Sequence, residues 1–195
     1  GLTLRELGRL VEAEANHTRA VVLKPDYAVA HNNLGNTLKE LGKLEKALAS
    51  HTRALVLKPD YPEAHNNLGS ALNELGRLEE AEASFTQAIV LKPDYAEAHG
   101  NLGMALQALG RLDEAEVRYE QAIGLKTDYA VVYNNLSTIL QNQGRLDEAL
   151  TRYNEAIELQ VDYAHAYSNK NLCLNYCSNR TPLFIYQQHL EFERQ

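Results

Sequence analysis

Leu57-Lys58-Pro59-Asp60-Tyr61 recurs 34 residues later as Leu91-Lys92-Pro93-Asp94-Tyr95 and 34 residues earlier as Leu23-Lys24-Pro25-Asp26-Tyr27. The Asp-Tyr pair continues at the same interval to Asp128-Tyr129 and Asp162-Tyr163, where Thr127 and Val161 replace the proline. Self-similarity at a period of roughly 20–50 residues marks a stacked-repeat architecture. Four full units follow, 28–61, 62–95, 96–129 and 130–163, flanked by a partial unit at 1–27 and a divergent stretch at 164–195. Positions within a unit are numbered from 1 to 34, beginning at Ala28.

Each unit reads as two helices. Apolar residues at positions 7, 11 and 14 trace one face at the helical period, for example Leu34, Leu38 and Leu41. Position 15 is Gly42, Gly76, Gly110 and Gly144, a residue suited to closing a helix in the left-handed conformation. Positions 17, 20, 24, 27, 28 and 30 trace the apolar face of a second helix, with Ala47, Ala81, Ala115 and Ala149 at position 20 and Ala54, Ala88, Ala122 and Ala156 at 27. We call the two helices A and B. Acids such as Glu79 and Glu80 open helix B, and Lys58 or Lys92 closes it, which suits the helix dipole. Asp60 with Glu63, and Asp94 with Glu97, have the spacing of capping boxes for the next helix A. Pro62 is tolerable in that helix's first turn. Gly35, Gly69 and Gly103 at position 8, facing alanines at 20 and 27, allow the helices of a pair to approach closely. A lone pair cannot bury both faces, so neighbours must stack.

The pattern resembles the tetratricopeptide (TPR) family: a period of 34, small residues at 8, 20 and 27, and large ones at 7, 11 and 24. Position 4 departs from it, with His31, His65, His99, Tyr133 and Tyr167 where the family often has tryptophan. The resemblance implies an all-α fold, an alpha-alpha superhelix of antiparallel helix pairs with helices A along the concave side. It also implies a module that holds protein or extended peptide in that groove.

The chain has 195 residues, 45% of them apolar, with eleven Tyr, three Phe and no Trp, so Leu, Ala and Tyr must build the core. Its formal net charge is −7. No basic patch or stripe appears, which argues against nucleic acid and anionic membrane surfaces as partners. No uncharged run approaches the ~18 residues of a membrane span. Cys173 and Cys177, the only cysteines, are no disulfide framework, and they fit a reducing cytoplasm. On one helix face they read as two small apolar residues rather than a redox pair or half a metal site.

Catalysis and cofactors find no support. There is no glycine-rich phosphate loop, no Gly-x-Ser-x-Gly and no distinctive carboxylate pair. His31, His65 and His99 fall on successive helices about 8–10 Å apart, too far for one zinc with bonds near 2.0–2.1 Å. They read as packing residues in place of an aromatic, as do His17 and His51 at position 24. No metal and no cofactor is expected.

The remaining signal is asparagine. Position 6 is Asn33, Asn67, Asn101, Asn135 and Asn169, and position 5 adds Asn32, Asn66 and Asn134. Asparagine is a mediocre helix former. Position 9 drifts through Asn36, Ser70, Met104 and Thr138 while position 6 does not. One explanation is amides that satisfy a neighbouring helix; the one we carry forward is a ladder of amides facing a bound peptide. The positions facing such a ligand carry no Lys or Arg, and Lys39 at position 12 is the nearest candidate, so a carboxylate clamp is disfavoured. The candidate peptide-binding set is thus Asn32, Asn33, Asn36, Lys39, Asn66, Asn67, Asn101, Asn134, Asn135 and Asn169.

The two ends depart from the repeat. Gly1 falls at position 8, so half of a helix A is missing, and Leu4, Leu7 and Leu10 lack their usual neighbours. Self-association through that end is expected. At the other end Lys170 replaces the leucine of position 7, and Thr181-Pro182 reads as the start of a last helix carrying Leu183, Tyr186 and Leu190. Ser168, Asn169, Leu172, Leu174, Asn175 and Tyr176, then Phe184 and His189, resemble the junction in O-linked N-acetylglucosamine transferases and SPINDLY-like relatives; Lys170 and Cys177 do not fit it. That resemblance implies a substrate-recruiting region whose catalytic part lies elsewhere, in a glycosyltransferase parent; no activity is expected of these residues themselves. A free-standing adaptor or scaffold with no enzyme attached is the alternative.

Overall fold

The computed structural model describes residues 4–176. Their helices are α1 (Leu4–Leu23), α2 (Ala28–Glu40), α3 (Leu44–Leu57), α4 (Pro62–Glu74), α5 (Leu78–Leu91), α6 (Ala96–Ala108), α7 (Leu112–Leu125), α8 (Ala130–Asn142), α9 (Leu146–Leu159) and α10 (Ala164–Tyr176). Even-numbered helices are helices A and α3, α5, α7 and α9 are helices B, while α1 runs unbroken through Gly8, so the half of helix A left in the partial repeat does not form a separate helix. The fold is all-α, and no strand occurs among the described residues. The last helix expected from Pro182 lies outside them, as do Cys177, Phe184 and His189.

The chain divides into two compact units, residues 1–110 with α1 to α6 and residues 111–195 with α7 to α10; the division falls inside the 96–129 repeat. In the first unit α2 pairs with α3 and α4 with α5, each helix B packs on the next helix A, and α2, α4 and α6 stand side by side. In the second unit α8 pairs with α9, α7 packs on α8, α9 on α10, and α8 neighbours α10.

The breaks arise as the residues dictate. Gly42, Gly76, Gly110 and Gly144 each have φ between 71° and 78°. Two hydrogen bonds close α4 around Gly76, from its own N–H to the Asn73 carbonyl at 3.0 Å and from Arg77 N–H to the Leu72 carbonyl at 2.9 Å. That is the Schellman arrangement, which needs a left-handed residue at its centre. The helix A starts differ from expectation. Tyr61 and Tyr95, not Asp60 and Asp94, occupy the cap position, and neither makes a side-chain cap bond. The aspartates stand one residue too early for a capping box. Nor does a lysine simply end helix B: Lys58 lies past its last turn, with its ammonium 4.8 Å from the centre of the Tyr61 ring, and Lys92 repeats this at Tyr95 with 4.6 Å. Cation–π contact adds to any dipole effect.

The position-4 histidines pack and also bond. Nε2–H of His31, His65 and His99 donates to the carbonyls of Pro25, Pro59 and Pro93 at 3.0, 2.9 and 3.0 Å. A carbonyl only accepts, so Nε2 carries the proton. Where Thr127 and Val161 replace the proline, Tyr133 and Tyr167 replace the histidine.

The core follows the small positions. The alanines at positions 20 and 27, from Ala47 to Ala156, are completely buried. Leu38, Leu72, Leu106 and Leu140 at position 11 are buried beside them. Position 24 fills the space over position 8 with His51, Phe85, Tyr119 and Tyr153, all but sealed from solvent. A Cβ on Gly35 would stand 2.5 Å from His51 Cε1, and one on Gly69 would stand 2.7 Å from Phe85 Cε1. With His51 and Phe85 seated as they are, Gly35 and Gly69 have no room for a Cβ, whereas Ser137 holds position 8 in the repeat of Tyr153 and is itself fully buried. Burying such a ring contributes about 1.5–3 kcal/mol.

Candidate functional site: the asparagine rows of helices A

Positions 5 and 6 are adjacent on helix A, so their side chains diverge by about 100°. Asn32, Asn66 and Asn134 point inward and are buried. Asn33 is exposed, and Asn67, Asn101, Asn135 and Asn169 are partly exposed. The two rows are joined across repeats. Asn67 Nδ2 donates to Asn32 Oδ1 at 3.2 Å, and Asn101 Nδ2 to Asn66 Oδ1 at 2.9 Å. In the second unit Asn169 Nδ2 donates to Asn134 Oδ1 at 3.1 Å. Each bond spans 35 residues, one repeat plus one position.

Bonding to a neighbouring helix, the first explanation of the asparagines, thus involves both rows. The position-5 amides expected to face a ligand are structural acceptors. The position-6 amides use one N–H to span two helices, and an amide has a second N–H and an oxygen besides.

Asn135 differs. Position 5 of the preceding repeat is Gly100, which offers no side-chain acceptor. Asn135 instead bonds the hydroxyl of Tyr119 and accepts from Asn134 Nδ2 at 3.3 Å. Burial pushes the Tyr119 phenol well above its usual range, and the Asn135 bond partly opposes this. Tyr153 anchors the next pair, donating to Gln141 Oε1 at 3.0 Å and meeting Thr138 Oγ1 at 3.3 Å.

His51 underlies the first rung. Its Nδ1 lies 3.1 Å from Asn32 Oδ1, which can only accept, so Nδ1 is protonated. Nε2 is buried without a hydrogen-bond partner. Burial, with the Lys39 charge adding to it, lowers the imidazole pKa to about 4. The ring is neutral at pH 7. Tyr61 completes the cluster through a bond to Asn32; burial raises its phenol pKa, Glu63 adds to the rise, and the Asn32 bond opposes it.

The other candidates fall on the same helix faces. Asn36 at position 9 is partly exposed. Lys39 donates to Ser70 Oγ at 2.8 Å and lies 3.5 Å from Glu74, so its ammonium ties α2 to α4. Sequence reasoning missed Ser70 as this partner and the position-24 residues as polar anchors. The signal was present in the offset between the asparagine rows, since 35 rather than 34 residues separate donor and acceptor. Among the described residues no group of three or more His, Cys, Asp or Glu is placed to hold a metal, and no helix is long and apolar enough to cross a membrane.

The comparison with known families decides the repeat type. The family model described as TPR repeat matches residues 35–76 and 138–170, and two described as tetratricopeptide repeat match 60–128 and 18–49. The chain belongs to the tetratricopeptide-repeat family. No curated protein matches the sequence. Among solved structures, TTC0263, a thermophilic TPR protein of Thermus thermophilus, is similar at 28% identity and TM-score 0.72, over 88% of this chain and 94% of its own. YrrB, a TPR protein with an unusual peptide-binding site, shares the fold at 24% identity and TM-score 0.73, over 92% and 93% of the two chains. The first TPR of Spaghetti (RPAP3), bound to the HSP90 peptide SRMEEVD, matches at 28% identity and TM-score 0.59, over 60% of this chain and 93% of that one. Tetratricopeptide repeats are peptide- and protein-binding modules, and this array carries its polar rows on the helices A.

Proposed function

We propose that this TPR array holds an extended segment of a partner protein along its helices A, with the position-6 asparagines as the contact. The carrying observation is the inter-repeat bond of Asn67 and Asn101: it fixes each amide's orientation without consuming its remaining donor and acceptor. An extended peptide offers N–H and C=O groups whatever its side chains, so a pre-oriented amide recognises backbone. Each such bond contributes about 0.5–1.5 kcal/mol net. Peptide binding by YrrB and by the RPAP3 repeat supports this use of the fold.

The array works in this reading as a recruiting module, with the glycosyltransferase parent of the narrower resemblance or, alternatively, as a free-standing adaptor. The narrower reading rests on Ser168, Asn169, Leu172, Leu174, Asn175 and Tyr176. The cysteine count is the ground for assigning this work to the cytoplasm. Self-association would use α1, where Ala13 and Ala20 are partly exposed although their counterparts Ala47 and Ala54 are sealed. Light scattering at high concentration tests that point, and a strict monomer would refute it.

The main test is Asn33→Leu. It keeps the size of an exposed amide that stands outside the inter-repeat bonds described above, but removes its donors and its acceptor. Peptide capture measured by fluorescence anisotropy should weaken by several-fold with an unchanged melting temperature. Unchanged capture by this variant and by Asn101→Ala would remove the rows as the binding site.

A further inference from the structure

Positions 2, 6, 9 and 13 follow one another at spacings of four, three and four, and so share one face of helix A. On α2, α4 and α6 that face carries Asn33, Asn67 and Asn101 in its middle. Toward the helix starts lie Glu63 and Glu97, and toward the ends Glu40 and Glu74. Lys39, at position 12 beside this face, is held by Ser70 and Glu74. Lys92 reaches Glu63 at 3.9 Å from the turn, with both side chains nearly half-exposed, and such a pair contributes little. Carboxylates therefore flank the amide row on both sides, with Glu74 paired to Lys39, Glu63 to Lys92 and Glu97 in a contact of its own, so a ligand cation competes for them.

The spacing adds a second constraint. Neighbouring packed helices lie about 8–10 Å apart. A polyproline II segment has three residues per turn and about 3.1 Å rise, so every third side chain returns to the same side after about 9 Å. A fully extended strand would instead alternate sides and bring every third residue to the opposite face. From these two facts we infer that the α2, α4 and α6 face takes a partner segment in polyproline II conformation with lysine or arginine at every third residue. The inference rests on the peptide-holding reading above and names its ligand class. Backbone groups of the segment meet Asn67 and Asn101, and its cations meet Glu63 and Glu97 on one side or Glu40 and Glu74 on the other. Acidic peptides such as the one bound by the RPAP3 repeat would meet carboxylates here.

The test uses the full chain and labelled nine-residue peptides at low salt, read by fluorescence anisotropy. The probes are three tandem Lys-Pro-Ala triplets, the same composition with its lysines in one block, and triplets with Gln or Glu in place of Lys. The tandem lysine peptide should bind tightest and weaken as salt rises. The chain carrying Glu40→Gln, Glu63→Gln, Glu74→Gln and Glu97→Gln should bind it about ten-fold or more weakly, each exposed pair contributing about 1.5–5-fold. A charge-matched chain with Glu12, Glu45, Glu79 and Glu120 changed to Gln on exposed faces of helices B should bind it as before, and circular dichroism should show both chains folded. Equal losses in the two variants, equal binding of the block peptide, preference for the glutamate peptide, or no binding of any probe would each overturn the inference. If the glutamine triplets bind as well as the lysine ones and Asn101→Ala weakens both several-fold, the ligand class fails while the peptide-holding reading stands. If charge dependence holds but the asparagine variants have no effect, the amide rows fail instead.

Discussion

Asn101 donates its side-chain N–H to the buried Oδ1 of Asn66 at 2.9 Å, joining α6 to α4. Asn67 does the same for Asn32 at 3.2 Å, but Asn32 also meets His51 Nδ1. The same motif therefore has different reserves in successive repeats. A partly exposed side chain is part of the array's internal bonding, so a substitution at these positions reaches the stability of the array.

That link sets the effect of truncation. Asn101→Ala leaves the Asn66 oxygen buried without this donor, and an unsatisfied buried group costs about 1–3 kcal/mol. Asn67→Ala should cost less, because His51 still donates to Asn32. Urea denaturation of the two variants checks the order. Equal costs would mean that His51 does not share the acceptor. An exposed substitution outside such bonds usually changes stability by under about 0.5 kcal/mol, so a larger loss reports the inter-repeat bond.

Position 8 offers a contrast among glycines. Gly69→Ala places a Cβ 2.7 Å from a buried phenylalanine ring, and overpacking of this kind costs about 1–3 kcal/mol. Gly124, in α7, has nothing within 4 Å of its would-be Cβ, so Gly124→Ala should stabilise by up to about 1 kcal/mol through helix propensity. Opposite shifts in melting temperature are the expected result.

His51 imparts a pH dependence. Its folded pKa of about 4 lies below the ordinary histidine value of 6.5, so the fold favours the neutral ring. Stability from this group is complete above about pH 6.5 and falls as pH drops toward 4, by on the order of 3 kcal/mol in all. His51→Phe should flatten that part of the stability curve measured from pH 7 to 4. The substitution has a precedent in the chain, since Phe85 occupies the same position over Gly69. An unchanged slope would place the titration elsewhere.

Lys39 is a brace between α2 and α4 in this structure. Lys39→Met should lower stability by about 1 kcal/mol through the lost bond to Ser70. If positively charged segments are the ligands, it should also raise their affinity modestly. Isothermal titration with the tandem lysine peptide checks both sign and size, and weakened binding would mark Lys39 as a ligand contact.

The repeat, the helix pairs and their breaks were legible from residues alone. A period of 34, glycine at position 15 and alanine at 20 and 27 are local and steric facts, and stacked helices leave little freedom in interpreting them. The capping of helix A was not legible, because a one-residue shift separates Asp60 from the cap and local patterns tolerate such shifts. The two asparagine rows look alike in sequence, since propensity treats neighbouring positions equally. Only packing separates them. A turn of about 100° per residue sends one amide into a buried seam and the next toward solvent, and the neighbouring repeat then supplies the donor. The sequence by itself determined the array; the tertiary structure decided which polar groups are buried in its seams and which stay partly exposed, because hydrogen-bond partners 35 residues apart exist only once the helices are stacked.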